Sequence, residues 1–242
     1  MGKIFFTSDL HFGHENVIRF DNRPFETVEE MNAELVRRWN AKVSNGDLVY
    51  VLGDMIWKSN HGEAEKLIKS LNGQIILIKG NHDRFLHNAK AKNALAEIKE
   101  YDDICVTLED GTKRRCILSH GFFPMYYGHR YQAIHLHGHS HQTEESIYEF
   151  MIEMMLRAQG FNPEIYNVGC MYWNYEPVTL DEILAHKQEI MDCEMYKYLK
   201  FFKLNENEID IGEDIKTRVH QAIQSTYYSI YNLTSESEED NG

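Results

Sequence analysis

The sequence His137-Gly-His-Ser-His141 directly follows the apolar run Ala133-Ile-His-Leu136. A short apolar run of this kind is typical of a strand, and Gly138 allows the chain to turn sharply at its end. A turn there would bring the side chains of His139 and His141 towards one centre. Imidazole is the commonest neutral ligand for borderline metal ions. The stretch therefore predicts a metal site at a strand end, with a histidine-rich surface loop as the alternative.

Polar residues of metal-binding types follow four other apolar runs in the same way. Because buried strands commonly deliver such side chains at their carboxyl ends, the repeated pattern predicts a site at one edge of a sheet. Strands that alternate with helices also indicate an α/β architecture. The four motifs are Asp9-Leu-His11 after Ile4–Phe6, Gly53-Asp54 after Leu48–Leu52, Gly80-Asn81-His82-Asp83 after Ile75–Ile78, and His120 after Cys116–Leu118.

The length, composition and charge of the chain limit its domain organisation and the kinds of ligand that it can bind. Its 242 residues suffice for one large domain with an appendage, and 43% hydrophobic with 26% charged residues is ordinary for a soluble globular protein. The formal net charge of −13 argues against a broad, non-specific grip on nucleic acid, which needs a basic surface. A small anionic substrate remains open, because bound divalent cations can reverse the local field.

Two features predict a cytoplasmic protein without a membrane segment. The four cysteines form no CxxC pair and no disulfide framework, so we expect reduced thiols. The apolar start of the chain, Ile4–Phe6, turns polar at Thr7 and is too short for a signal peptide or a membrane span.

Helices and turns are predicted from capping residues and apolar spacing. Thr27 with Glu30, and Thr179 with Glu182, have the spacing of capping boxes. Asp110-Gly111 between two apolar runs predicts a β-hairpin. Residues 10–25 are interpreted as a long polar loop. The first predicted helix begins at Thr27. The other predicted helices span His61–Leu71, Leu86–Ile98, Glu145–Ala158, Thr179–Phe202 and Asp214–Tyr231.

Together the five motifs closely resemble those of the calcineurin-like metallophosphoesterase superfamily, over roughly residues 3 to 180. Each motif alone is common, but all five in this order are specific. The resemblance implies an α/β fold, a two-layered β-sandwich flanked by helices, known as the metallo-dependent phosphatase fold. The expected organisation is a metallophosphoesterase domain over 1–180, a helical C-terminal extension over 181–232 and an acidic, disordered tail over 233–242.

The resemblance also implies a centre with two divalent metal ions. Its mixed nitrogen and oxygen ligands suit Mn, with Fe, Zn or Ni as alternatives, better than Ca or Mg. Two such ions need a shared anion between them, which a carboxylate can supply. Matched by position, the first metal would be held by Asp9, His11 and His141 and the second by Asn81, His120 and His139, with Asp54 bridging the two.

Two further histidines receive roles from the resemblance. His82 would stabilise the phosphoryl oxygens or protonate the leaving oxygen, with Asp83 orienting it. His14 would contact the substrate phosphate. At both positions the alternative is a structural histidine. The chain departs from the family pattern at Trp57, where many members carry an acidic residue, and we interpret Trp57 as cleft wall or core.

The implied activity is hydrolysis of a small phosphodiester or nucleotide by in-line attack of a hydroxide held between the metals. The alternatives are a nuclease on DNA ends, a phosphomonoesterase or protein phosphatase, and a scaffold that kept the fold without catalysis. All seven ligand positions are intact, which favours an enzyme. The apolar faces of the C-terminal helices fit three roles: packing on the core, capping the cleft, or forming a homo-oligomer contact.

Overall fold

The computed structural model describes residues 2–57 and 62–201. The chain divides into two units, Met1–Ile183 and Leu184–Gly242. The described elements are, in chain order, β1 (Ile4–Thr7), α1 (Glu15–Phe20), α2 (Val28–Lys42), β2 (Leu48–Val51), α3 (Glu63–Ser70), β3 (Gln74–Ile78), α4 (Ala89–Lys92), β4 (Glu97–Lys99), β5 (Asp102–Thr107), β6 (Lys113–Leu118), β7 (Ile134–His137), α5 (Glu144–Ala158), β8 (Glu164–Asn167), β9 (Val178–Thr179), α6 (Leu180–Ala185) and α7 (Lys187–Phe201).

The first sheet has the strand order β4-β3-β2-β1-β9. Strands β1 to β4 run parallel, and β9 pairs antiparallel with β1. The near-continuous apolar sequences of β2 and β3 are typical of parallel strands that are covered on both faces. Helix α2 buries Met31, Leu35 and Trp39, which share one core cluster with residues of β1, β2 and β3.

The second sheet has the strand order β5-β6-β7-β8. Strands β5 and β6 form the predicted antiparallel hairpin, and the left-handed φ of +86° at Gly111 allows its tight turn. Strands β6, β7 and β8 run parallel. The predicted α/β fold, two mixed sheets with flanking helices, is therefore confirmed.

The two sheets meet near the end of β1. Ser8 forms an isolated parallel bridge with Gly169, and the Cys170 amide donates to the Ser8 carbonyl over 2.9 Å. The residue that follows β1 thus pairs with the segment that follows β8. This contact brings the carboxyl ends of parallel strands from both sheets to one region.

Both predicted capping threonines cap their helices, but only the second forms the full capping box, because the Glu30 side chain accepts a hydrogen bond from the Glu26 amide over 2.8 Å instead of from Thr27. The Glu30 amide donates to Thr27 Oγ1 over 3.2 Å, at the start of α2. At the second box the exchange is reciprocal, because the Thr179 amide donates to Glu182 Oε2 over 2.7 Å and the Glu182 amide donates to Thr179 Oγ1 over 3.3 Å.

Three local predictions were wrong. In place of a helix over 86–98, a 3₁₀ turn at Arg84–His87 leads to the short α4 and then to the edge strand β4. Asn88 is the N-cap of α4, and its side chain accepts hydrogen bonds from the amides of Lys90 and Ala91, so the helix begins only after this residue. The helix from Thr179 is broken between α6 and α7, and the polar loop over 10–25 contains α1.

The C-terminal predictions fall largely outside the described residues. These are the helix Asp214–Tyr231 and the acidic tail over 233–242. The boundaries at 180 and 232 stay predictions.

The described residues also bear on the predicted reduced thiols and on the predicted lack of a membrane segment. Cys105, Cys116 and Cys170 carry free thiols. Among the described residues no helix combines the length and the apolar character needed to cross a bilayer.

Strand β7 carries a buried histidine whose ionisation makes stability depend on pH. His135 is fully buried, accepts a hydrogen bond from the Phe123 amide over 3.1 Å, and contacts the Ile117 carbonyl through Nδ1. Burial lowers its pKa from 6.5 to about 4. Below pH 6.5 the unfolded chain therefore binds a proton that the folded chain refuses, so folding stability falls as the pH drops towards 4.

We expect His135 to lower the free energy of unfolding by up to about 1.4 kcal/mol per pH unit in this window. Urea unfolding of the metal-free protein at pH 7 and pH 5 measures the effect. His135→Gln should reduce the difference between the two pH values, whereas the exposed control His87→Gln should not. An unchanged difference in His135→Gln would assign the acid sensitivity to other groups.

Candidate metal centre

The seven predicted ligands lie on loops that follow parallel strands. Asp9 and His11 follow β1, Asp54 follows β2, Asn81 follows β3, His120 follows β6, and His139 and His141 follow β7. Backbone hydrogen bonds tie these loops together. The amides of Asp9 and His11 donate to the carbonyls of Gly53 and Asp54 over 3.1 and 2.9 Å, and the Gly138 amide donates to the His120 carbonyl over 2.9 Å.

Most of these residues have an unusual backbone conformation. A left-handed φ costs a non-glycine residue about 1–2 kcal/mol, so tertiary contacts must hold it. Such strain is typical of functional sites. The left-handed residues among the seven are Asp9 (φ +56°), His11 (+52°), Asp54 (+51°), His139 (+74°) and His141 (+51°).

Close packing of the loops requires glycine at two positions. A Cβ atom at Gly53, whose φ is +94°, would collide with the His120 ring, and one at Gly138 would collide with the side chains of Ser8 and Asp9. Gly138, predicted to allow a turn at the strand end, and Gly53 therefore both allow neighbouring loops to approach one another.

The first predicted ligand set forms a buried cluster. His11 Nε2 lies 3.1 Å from His141 Nε2, which lies 3.5 Å from Asp9 Oδ1. Ligand atoms about 2.1 Å from one ion are separated by roughly 3.0–3.5 Å, so these spacings fit a shared cation. Asp9 Oδ1 is buried and has no hydrogen-bond partner among the described residues. A buried carboxylate oxygen of this kind requires a cation or a donor.

The second set forms a matching cluster. Asn81 Oδ1 lies 2.9 Å from His120 Nε2 and 3.1 Å from His139 Nδ1. The two imidazole nitrogens are 3.2 Å apart. The three atoms thus form a compact triangle of one oxygen and two nitrogens, which also has the spacing of ligands around one ion.

Asp54 lies between the two clusters. Its Oδ2 atom is 3.6 Å from His11 Nε2 and 3.6 Å from His120 Nε2, while Oδ1 accepts a 2.8 Å hydrogen bond from the His82 amide. Burial alone would raise the pKa of Asp54, but the neighbouring His120 and the His82 amide outweigh it and lower the pKa to about 2. The carboxylate is therefore ionised and available to both clusters.

Asp83 stabilises the backbone around Asp54. Its carboxylate accepts hydrogen bonds from the amides of Asp54, Met55 and Gly80 over 2.8–3.0 Å. The sequence suggested that Asp83 orients the His82 ring. The structure instead places its carboxylate on the backbone around Asp54 and joins the loops after β2 and β3.

Aromatic rings form one side of the site, which we call the aromatic wall: Phe20, His14, Trp57 and His82. His14 stacks on Trp57 with ring centroids 3.9 Å apart, and His82 lies 4.6 Å from Trp57. Phe20 is 55% exposed and lies against both His14 and His141. Trp57 therefore forms part of the cleft wall.

The two histidines proposed as substrate contacts differ in exposure. His82 is partly exposed, and its ring centroid lies 5.9 Å from that of His11. His14 is buried 5.4 Å from His11, and burial lowers its pKa. His14 Nδ1 has no hydrogen-bond partner among the described residues.

The sequence interpretation missed a buried ion pair beside the first cluster. Arg23 Nε lies 2.9 Å from Asp21 Oδ2, and both side chains are fully buried. The same oxygen lies 3.3 Å from His141 Nδ1, which is an ion-pair distance without the alignment of a full hydrogen bond. The available signal was two opposite charges two residues apart in a loop that already carried Asp9 and His11.

Aspartate and histidine clusters at the edge of two mixed sheets are characteristic of metal-dependent phosphoester hydrolases. The chain belongs to the calcineurin-like phosphoesterase family, because the family model of that description matches residues 2–186. The resemblance recognised in the sequence is therefore confirmed. Two groups, Asp9 with His11 and His141, and Asp9 with Asp54 and His120, have the spacing of metal-binding sites.

Similar proteins occur in an archaeon and in phages. The chain is 35% identical over 187 residues to the uncharacterized protein MJ1445 of Methanocaldococcus jannaschii, covering 76% of this chain and 90% of that protein. It is 27% identical over 205 residues to the Gene 66 protein of Mycobacterium phage D29, covering 76% and 94% of the two chains.

A solved structure supports the fold alone. The crystal structure of AQ665, a protein of unknown function from Aquifex aeolicus, matches with a TM-score of 0.56 and 23% identity. The match covers 76% of this chain and 98% of that one.

Proposed function

We propose that the protein hydrolyses a small phosphodiester or a nucleotide with two divalent metal ions, and that phosphodiesters are better substrates than monoesters. The observation that carries the dinuclear part is the position of Asp54 Oδ2, 3.6 Å from a ligand nitrogen of each cluster. An ionised oxygen so placed can serve two ions at once.

The ligand roles follow the two clusters. Asp9, His11 and His141 would hold one ion, and Asn81, His120 and His139 the other, with Asp54 shared. Two ions there would lower the pKa of a water molecule for in-line attack on phosphorus and offset the charge on the phosphoryl oxygens. The nitrogen and oxygen donors suit Mn first, and also Fe, Zn or Ni.

His82 is the proposed catalytic residue of the chain. Its amide is bound to Asp54 Oδ1, which fixes its backbone beside the shared carboxylate. Its partly exposed ring faces the same side of the site as Trp57. From this position His82 can donate a hydrogen bond to a phosphoryl oxygen or a proton to the leaving oxygen. His14 remains a proposed substrate contact.

The aromatic wall and the acidic charge bear on the substrate class. Stacked and partly exposed rings beside a phosphate site favour an ester that carries a planar group, such as a nucleotide. The net charge of −13 disfavours a long nucleic acid, whose binding depends on basic residues.

Free thiols at Cys105, Cys116 and Cys170 support a reducing compartment such as the cytoplasm.

A hydrolysis screen tests the proposal. Mono-, di- and cyclic phosphate esters are each assayed with Mn, Fe, Ni and Zn. We expect hydrolysis of bis-p-nitrophenyl phosphate with Mn, faster than that of p-nitrophenyl phosphate. Preference for the monoester would favour a phosphatase, and robust cleavage of plasmid and oligonucleotides would favour the nuclease. No hydrolysis, with fewer than one metal ion bound per chain, would favour the non-catalytic scaffold.

A further inference from the structure

The buried pair Asp21–Arg23 stands out because it contributes to no predicted role. Taking two charges out of water is costly, and such a pair is retained only with good geometry and further hydrogen bonds. Both side chains have 0% exposure.

Asp21 faces the nitrogen of His141 that points away from the first cluster. Its Oδ2 atom lies 3.3 Å from His141 Nδ1. A carboxylate at this distance favours the tautomer with its proton on Nδ1, which leaves the lone pair of Nε2 free. That Nε2 atom lies 3.1 Å from His11 Nε2 and 3.5 Å from Asp9 Oδ1.

The Arg23 side chain holds the turn that carries the other two residues of the cluster, Asp9 and His11, through hydrogen bonds to the backbone of that turn. Its two terminal nitrogens donate to the carbonyls of Asp9 and Leu10 over 2.7 and 2.9 Å. This turn is strained, because Asp9 and His11 both have left-handed φ values. One ion pair therefore contacts both the loop after β1 and the histidine that follows β7.

The second cluster has a different support. His120 Nδ1 lies 2.7 Å from the carbonyl oxygen of Leu52, which is neutral. A change at Asp21 should therefore affect the first cluster alone.

We infer that Asp21 and Arg23 are positioning residues of the first cluster. Asp21 fixes the tautomer and orientation of His141, and Arg23 holds the turn that carries Asp9 and His11. The inference rests on the metal-binding part of the proposed function, and it does not depend on the substrate.

Metal binding by the full chain tests this inference without any substrate. Calorimetric titration with Mn²⁺ should give two binding events in the wild type. We expect Asp21→Ala to weaken one event roughly 10- to 100-fold and to leave the other within about twofold. Asp21→Asn should have an affinity between those of the wild type and Asp21→Ala, because its amide oxygen can still face His141 Nδ1 but carries no charge. The visible spectrum of the Co²⁺-loaded protein should change with the weakened site.

Two further variants keep the test decisive. Arg23→Lys retains the charge but cannot reach all three acceptors, which are the Asp21 carboxylate and the carbonyls of Asp9 and Leu10. It should weaken the same binding event, and it serves as the test if Asp21→Ala does not fold. Glu153→Gln removes the charge of another largely buried ion pair, with Arg157, and should leave both events unchanged.

The outcomes separate the inference from the proposed function. Folded Asp21 variants that bind both ions with wild-type affinity would overturn the inference, as would an equal loss at both sites. A wild type that binds no metal would overturn the inference and the dinuclear proposal together. A wild type that binds two ions but hydrolyses no phosphate ester would overturn only the proposed function, and the site-specific effect of Asp21→Ala would still stand.

Discussion

Asp54→Asn is expected to fold normally and to lose phosphoester hydrolysis by roughly 10³-fold or more. A carboxylate supplies a negative charge that an asparagine amide lacks, and Asp54 Oδ2 lies 3.6 Å from one ligand nitrogen of each cluster, His11 Nε2 and His120 Nε2. Asparagine has the same shape and keeps an oxygen for the His82 amide, so the loop should stay in place. Hydrolysis of bis-p-nitrophenyl phosphate with Mn measures the loss, and circular dichroism reports the fold.

The matched control is Asp110→Asn. Asp110 lies at the exposed tip of the hairpin between β5 and β6, and its Oδ1 atom accepts a local hydrogen bond from the Thr112 amide over 2.7 Å. An asparagine oxygen can replace that acceptor, so activity should equal that of the wild type. If folded Asp54→Asn stays within tenfold of the wild type, the two clusters do not share this carboxylate.

The placement of the candidate ligands could be predicted because it depends on short-range features. Apolar runs such as Leu48–Leu52 and Ile75–Ile78 mark buried strands, and parallel strands gather their carboxyl ends at one edge. Once the strands are assigned, the polar residues after them must lie near one another. The structure brings all seven residues into two clusters, and their roles as ligands remain part of the proposed function.

What the sequence could not reveal depends on distant parts of the chain. Asp21 and Arg23 look like solvated charges in a polar loop, and only the fold shows that they are buried against His141 and the Asp9 carbonyl. The helix over 86–98 fails for a related reason. Apolar spacing there suggested a helix, but pairing with β3 turns Glu97–Lys99 into an edge strand. Tertiary pairing outweighs local propensity.

Removal of metal is expected to abolish hydrolysis and to lower the melting temperature by about 5–11 °C. A ligand present at a free concentration 100-fold above its dissociation constant stabilises a protein by about 2.7 kcal/mol, and each kcal/mol corresponds to about 2–4 °C for a chain of this size. Asp9 Oδ1, which is buried and has no hydrogen-bond partner in the described part of the chain, is the kind of group that a cation would stabilise. Scanning calorimetry of chelated and Mn-reloaded protein measures the shift, and reloading should restore activity.

Single-site variants then test whether the centre is dinuclear. The wild type should bind two Mn ions per chain, whereas His141→Ala and His120→Ala should each bind one, because each removes a nitrogen from a different cluster. Both variants should lose hydrolysis, since the proposed reaction uses both ions together, with Asp54 shared between them. The exposed control His87→Ala should retain two ions and full activity. The contrary result is a wild type that binds one ion per chain, with that ion lost in His141→Ala and retained in His120→Ala. The first cluster would then be a mononuclear site, and the mechanism would not use a shared carboxylate.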